Sequence, residues 1–405
     1  MLASCLVRVI ESGRKRFAGV FYLKGIFMKT LRFEALENRS MMAAYRYADK
    51  ELSHLIATNY ADKVISRSEA IEVFASIADK GKVDVKEIAD IRQFVKLNMP
   101  EDVKYFSKSM LSNPANRTVS PLANGSTAAN VFKLIDKWFL GKDRPVAATE
   151  TTYKPISGNL FVDGVSTDDA RQGRVGDCYF VAALAALAAK NQTSIQQMFK
   201  DNNDSTWTVT FYAQEYKSIR NGLVRDFQLV YTKEFVTVDK YLPVDQSGNL
   251  YCANYGDSST NPNNELWVAL AEKAFAQWSE TGHSRMVADK KTNSYENIGR
   301  GGWSRVAFEA VSGQSCPEYG RLNETILQKA LSENKPLVIY KELSVTRVDG
   351  AGVQYQAFIN HAFVVESYSA STNSYTLYNP WGSRLTMNSS ELKSCYGYAI
   401  CNKKG

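Results

Sequence analysis

The sequence predicts an α+β protein in which a small helical domain precedes a two-part core. One half of that core is helical and carries Cys178; the other is antiparallel sheet and carries His361 and Asn379. Three observations lead there. Cys178 opens the Ala/Leu run Val181–Ala189, which has no Gly or Pro and is apolar on nearly every side, as a helix buried in a domain would be. Residues 46–140 show helical periodicity. Beyond the glycines at 299, 301 and 302, strand-like stretches dominate: Leu337–Tyr340, Phe358–Tyr368 and Tyr375–Tyr378, with a helix near Glu324–Leu331 before them.

Residues 1–45 do not read as a folded unit. They carry eight Lys/Arg against three Glu, which places +5 of the net +7 there and leaves the other 360 residues near neutral. A clustered basic face of the kind nucleic acid requires is therefore not indicated. Phe17–Leu23 makes a poor signal peptide, being short and without a small-residue cleavage site directly after it. Met28–Ala44 resembles a short F-E-x-L-E-x-R motif at the extreme N-terminus of large exported bacterial proteins. That points to Met28 as the functional start and to residues 1–45 as a targeting-like segment; a plain basic amphipathic helix is the other reading. The compartment stays open between export to the cell envelope and the cytoplasm.

The helical domain is marked by two capping boxes. Ser66-x-x-Glu69 precedes Ala70, Ile71, Phe74 and Ile77, and Asp84-x-x-Glu87 precedes Ile88, Ile91 and Val95. A third helix should bury Val131, Leu134, Ile135, Trp138 and Phe139. The Asp-x-Asp-x-Asp-Gly pattern of a calcium loop is missing between the capped helices. Residues 141–158 have linker composition. The core then divides into 159–300 and 301–405. Strands are expected at Trp207–Tyr212 and Phe235–Val238, and a helix over Asn264–Ala274.

Six widely spaced cysteines without a C-x-x-C pair indicate neither a zinc site nor a disulfide framework. Cys395 and Cys401 are near enough to bridge, yet read better as two buried thiols. No run of 18 apolar residues occurs, so no membrane-spanning helix is expected.

A cysteine at a helix N-terminus faces unpaired N–H groups and a positive dipole end, which favour its thiolate; most free cysteines are nonetheless inert packing. A thiol nucleophile also needs a base and a group to orient that base. Of the three histidines, His54 lies in the helical domain and His283 in a polar stretch suited to a solvated ring. His361 sits inside an apolar strand, 183 residues after Cys178, where packing gives no reason for an imidazole. Asn379, closing the next strand, can accept from one ring nitrogen while the other faces the sulfur. Pro380 ends that strand, and Trp381 can roof the Asn–His bond.

The block Gln172-Gly173-Arg174-Val175-Gly176-Asp177-Cys178-Tyr179-Phe180 resembles the Q-G-x-x-G-D-C-[WY]-F signature of the calpain family of papain-like cysteine proteases. His361-Ala362-Phe363 and Asn379-Pro380-Trp381-Gly382 resemble its other two blocks, and Val236–Asp239 and Asn264–Ala274 its flanking elements. The resemblance, to a bacterial calpain-like form, covers roughly residues 155–402. It implies a papain-like two-subdomain fold hinged near Gly299–Gly302, and endopeptidase activity through a Cys178–His361–Asn379 triad and a thioester. Gln172 and the Cys178 N–H would form the oxyanion hole, one such donor being worth ~3–4 kcal/mol. The partners implied are protein or peptide substrates; oligomeric state is left open, and the helical domain stands as a candidate regulator of the cleft. The sequence also admits an acyl transferase using the same thioester chemistry, or a silent binding protein on the same fold.

The resemblance further implies calcium. Val162, Gly164 and Asp169 match ligands of the family's first site; its further acid either is Glu234, reached by a two-residue deletion in the alignment, or is lost to Thr232, and Asp163 is an extra acid beside them. The acidic stretch expected after Asn379-Pro380-Trp381-Gly382 is replaced by Ser383–Asn388. One calcium at most is therefore expected, on the Cys178 side, and no organic cofactor. The regulatory domains of animal calpains are not expected.

Overall fold

The computed structural model describes residues 47–79, 81–221, 224–284, 291–348 and 354–402. The targeting-like segment and Met28 lie outside them.

The helical unit comprises α1 (Lys50–Asn59), α2 (Arg67–Ser76), α3 (Val85–Phe94), α4 (Glu101–Leu111) and α5 (Ala128–Trp138). Both capping boxes are present: Ser66 with Glu69 and Asp84 with Glu87 satisfy each other's backbone N–H groups. The apolar faces meet in one cluster around Phe74, Phe94, Phe106, Trp138 and Phe139. A polar seam joins this unit to the next half. Buried Lys137 pairs with buried Glu280 at 2.7 Å, and Thr237 donates to the Trp138 carbonyl at 2.7 Å. Phe235 enters the helical cluster from the far side of that seam.

The Cys178 half is built on α6 (Cys178–Lys190), with residues 179–188 all buried. Its alanines let neighbours approach closely. A short β1 (Thr152–Pro155) pairs with β5 (Tyr241–Val244), while α7 (Gln192–Met198) leads into β2 (Phe199–Asp201), β3 (Thr206–Asn221) and β4 (Val224–Asp239). The β3–β4 hairpin runs well beyond the stretches at 207–212 and 235–238 that alternation marks. Its outer part is exposed, at polar Lys217 and Ser218 and at apolar Tyr216 and Phe227 alike, so no buried face sets an alternation there. A wholly buried α8 (Trp267–Trp278) packs beside α6 and stacks Phe275 on Phe180, ring centroids 4.1 Å apart.

After α9 (Tyr295–Ile298) and α10 (Ser304–Ser312) comes a six-stranded antiparallel sheet. It contains β6 (Glu318–Tyr319), β7 (Leu337–Val348), β8 (Gln354–Ser369), β9 (Ser374–Asn379), β10 (Ser383–Asn388) and β11 (Cys395–Ile400), ordered β10-β9-β8-β7-β11-β6. Strand alternation divides β8 between two cores. Ala362 and Val364 face the cluster containing α6, whereas Phe363 and Val365 face a second one closed by α11 (Glu324–Ser332). The architecture is thus α+β with a papain-like two-part core: the six-stranded antiparallel sheet lies in the second half, and the Cys178 half, expected to be helical, also carries two smaller antiparallel sheets.

Cys395 and Cys401 are separate buried thiols; Cys401 lies 3.1 Å from Cys316 instead. Among the described residues no helix is long and apolar enough to cross a membrane.

Candidate active site

Cys178 is the first residue of α6 and is only partly exposed, on a cleft of about 400 Å³ that Gly176, Gly299–Trp303, Tyr340, His361 and Tyr396 also line. No residue of the helical unit lines it. The glycines before the cysteine are steric necessities. A Cβ on Gly173 would fall 1.8 Å from the Cys252 carbonyl oxygen, and one on Gly176 would fall 2.4 Å from that of Gly299.

On the opposite wall His361, on β8, is 3 % exposed, and its Nε2 lies 2.9 Å from Asn379 Oδ1 at the end of β9. The Trp381 backbone N–H donates to the same oxygen at 3.0 Å, so that oxygen is an acceptor twice over. Nε2 therefore carries the ring proton, leaving the Nδ1 lone pair for an incoming proton. Trp381 covers the imidazole with ring centroids 4.4 Å apart. The same indole donates to Gln172 Oε1 at 3.1 Å, the Gln172 backbone N–H donates to the Pro380 carbonyl at 2.8 Å, and Gln172 Nε2 donates to the Val175 carbonyl at 2.7 Å. Gln172 is thereby fixed from both halves.

The electrostatics depart from the helix-dipole argument. Burial pushes the Cys178 thiol up to about 11, and the Asp177 charge adds to that. Burial lowers His361, and the Asn379 hydrogen bond only partly restores it. The resting pair is a neutral thiol and a neutral imidazole, because a dipole worth a fraction of a charge does not offset desolvation. Cys178 Sγ meets the Asn360 carbonyl at 4.0 Å.

A model of the calpain family of cysteine proteases matches residues 143–390. The chain belongs to that family. The mouse protein Calpain-5 is 34% identical over 118 residues, 29% of this chain and 17% of its own length. The rat Calpain-1 catalytic subunit is 29% identical over 238 residues, 55% of this chain and 28% of its own. The chain thus spans less than a third of the length of these calpains. The matched region holds Gln172, Cys178, His361 and Asn379.

The acidic groups expected around calcium are only partly gathered. Asp163 and Gly164 form a tight turn with φ of 58° and 101°. Asp169 caps that segment through Ser166 and accepts from Trp267 Nε1 at 3.2 Å. Glu234 is not brought there. Its carboxylate takes Trp278 Nε1 at 2.6 Å and His283 Nδ1 at 2.9 Å. His283 is accordingly half-buried and ion-paired, not the solvated ring its polar neighbours suggest, and Glu234 raises its pKa. The acid beside Val162 is Glu265, whose Oε1 accepts the Val162 N–H at 2.9 Å. Burial, with the charges of Asp169 and Asp163, pushes Glu265 up to about 7. Among the described residues no group of three or more His, Cys, Asp or Glu side chains is placed to hold a metal ion, so any cation here would need backbone oxygens to complete its shell. Sequence reading missed Glu265 because it lies a hundred residues away in the stretch before α8; a carboxylate opening an otherwise apolar buried helix was the available signal.

Proposed function

We propose that the protein is an endopeptidase acting through Cys178, His361 and Asn379. The observation that carries this is the 2.9 Å His361–Asn379 bond, set on the wall of the cleft that holds Cys178. Sγ attacks the peptide carbonyl while Nδ1 of His361 takes the thiol proton and returns it to the leaving amine. Water then hydrolyses the thioester by the same base. Asn379 holds the ring; the Gln172 amide and the Cys178 N–H donate to the developing oxyanion. Trp303, Tyr340 and Tyr396 form an aromatic wall suited to an apolar substrate side chain.

Incubation of the purified chain with casein tests the reading. Peptide-bond hydrolysis stopped by a thiol alkylator is expected. Transfer of the acyl group to added amines without hydrolysis would make it an acyl transferase, and neither activity would make it a silent binding protein.

Because the base must be neutral to accept the thiol proton, activity should rise as pH climbs through the His361 pKa, which burial sets below 6.5. The acid limb of kcat/KM against pH is expected below that value; a limb centred above it would refute the neutral resting pair.

Calcium belongs to this proposal as one weak site. The backbone oxygens of Val162 and Gly164 with the carboxylates of Asp169 and Glu265 would hold it, steadying the Cys178 half. Calorimetric titration of the full chain should give one ion, weakened by Glu265→Gln and unaffected by Glu234→Gln. Two ions per chain, or the reverse order of variants, would refute this assignment.

A further inference from the structure

Asp177 precedes α6 and is fully buried, yet its side chain makes no capping bond and both carboxylate oxygens lack a hydrogen-bond partner. Glu272, in the middle of α8, reaches the same place and is equally buried. Its Oε2 accepts the Ala253 N–H at 2.8 Å, and its Oε1 has no partner. The two carboxyl groups are within hydrogen-bonding reach of each other. Two bare carboxylates cannot share a site closed to water, whereas one proton between them bridges Glu272 Oε1 and one of the two Asp177 oxygens. We propose that Asp177 and Glu272 share a single proton, and that this carboxyl pair of net charge −1 is a positioning element directly beneath Cys178. It rests on the reading of Cys178 as the reactive thiol.

The groups facing the pair are the Cys178 and Tyr179 side chains on α6, Cys252 on the segment ahead of α8, and Tyr295 on α9. All are neutral near pH 7, burial pushing each of these thiols and phenols up. The Gln172 amide is the other neighbour and favours the ionised form of Asp177. Burial likewise pushes both carboxyls up, and Glu272 also feels the Asp177 charge. The shared proton does two things at once. It pins the 172–177 segment, with the oxyanion donor Gln172, to the rigid α8. It also limits the charge under the thiol to one, so that Cys178 remains a thiol at rest without being barred from ionising when its proton is taken.

The pH dependence of Cys178 alkylation by iodoacetamide, read on the Cys178 peptide by mass spectrometry in the full chain, tests the charge count. Glu272→Gln replaces the shared proton with an amide donor and leaves −1 on Asp177, so its profile should superimpose on that of the unsubstituted protein. The double variant Asp177→Asn/Glu272→Gln removes the charge and should be alkylated about tenfold faster on the rising limb of the profile. Asp177→Asn alone should match it, since the remaining buried acid keeps the proton. Faster alkylation in Glu272→Gln would mean two bare carboxylates; no change in either Asp177 variant would mean an uncharged pair. Either result overturns the proposal. Alkylation needs no peptide hydrolysis, so a chain inactive on casein but showing these profiles would condemn the endopeptidase reading and keep the carboxyl pair.

Discussion

Cys178→Ala should lower peptide hydrolysis by about 10³–10⁶-fold while leaving the melting temperature unchanged. Alanine is the best helix former, and position 178 is the first residue of α6 and only partly exposed, so the substitution adds no strain and opens no large cavity. The loss would therefore be chemical. His361→Ala should be nearly as severe, because the thiol is held protonated by burial and has no other base on the cleft wall. Asn379→Ala should be milder: water can replace part of the bond to Nε2, though not the grip of Trp381 on the same oxygen. Initial rates on casein with matched thermal melts decide this. A Cys178→Ala protein with a substantial share of the activity would mean that another residue is the nucleophile.

Gly173→Ala should produce the largest loss of stability of any single methyl group at the site, on the order of 3 kcal/mol. Its backbone is not in the left-handed region, so conformational strain is not the reason. The new carbon would sit inside the Cys252 carbonyl, 1.8 Å from the oxygen and 2.3 Å from the carbon, where no flexible side-chain end can yield. Arg174 is bonded to the Tyr251 carbonyl at 3.1 Å, so the segment cannot lift without breaking a backbone bond next to the clash. A melting temperature several degrees lower, accompanied by loss of turnover, is expected. A Gly173→Ala protein that melts and turns over like the unsubstituted one would show that this close approach does not exist in solution.

Much of the site could be read from sequence because its parts announce themselves locally. The α6 helix is a dense apolar run, and His361 is polar where a strand wants apolar side chains. Asn379 is followed by a proline that ends its strand. What escaped depends on partners far along the chain. The outer parts of β3 and β4 are held by mutual pairing rather than by burial, so no buried face imposes a polar/apolar pattern on them. The sequence points to Glu234 and passes over Glu265; only tertiary structure turns the first toward Trp278 and His283 and the second toward Val162. The protonated state of Cys178 was misjudged for the same reason. A helix start is visible in the sequence, whereas the burial that outweighs it is not.

Arg384 stands where an acidic stretch was expected, and it binds across the two halves. Its guanidinium holds Glu366 on its own sheet through Nε and Nη2 at 2.8 and 2.9 Å, and reaches Asp168 on the Cys178 side through Nη1 at 2.7 Å. A cation that is part of the polypeptide has no dissociation constant toward the medium, and no chelator can strip it. Arg384 and Asp168 are nevertheless solvent-exposed, and exposed charges are screened over about 8–10 Å at ordinary ionic strength. Whatever joint this arginine makes between the halves would answer to the total salt of its surroundings and be indifferent to which metal ions that salt contains.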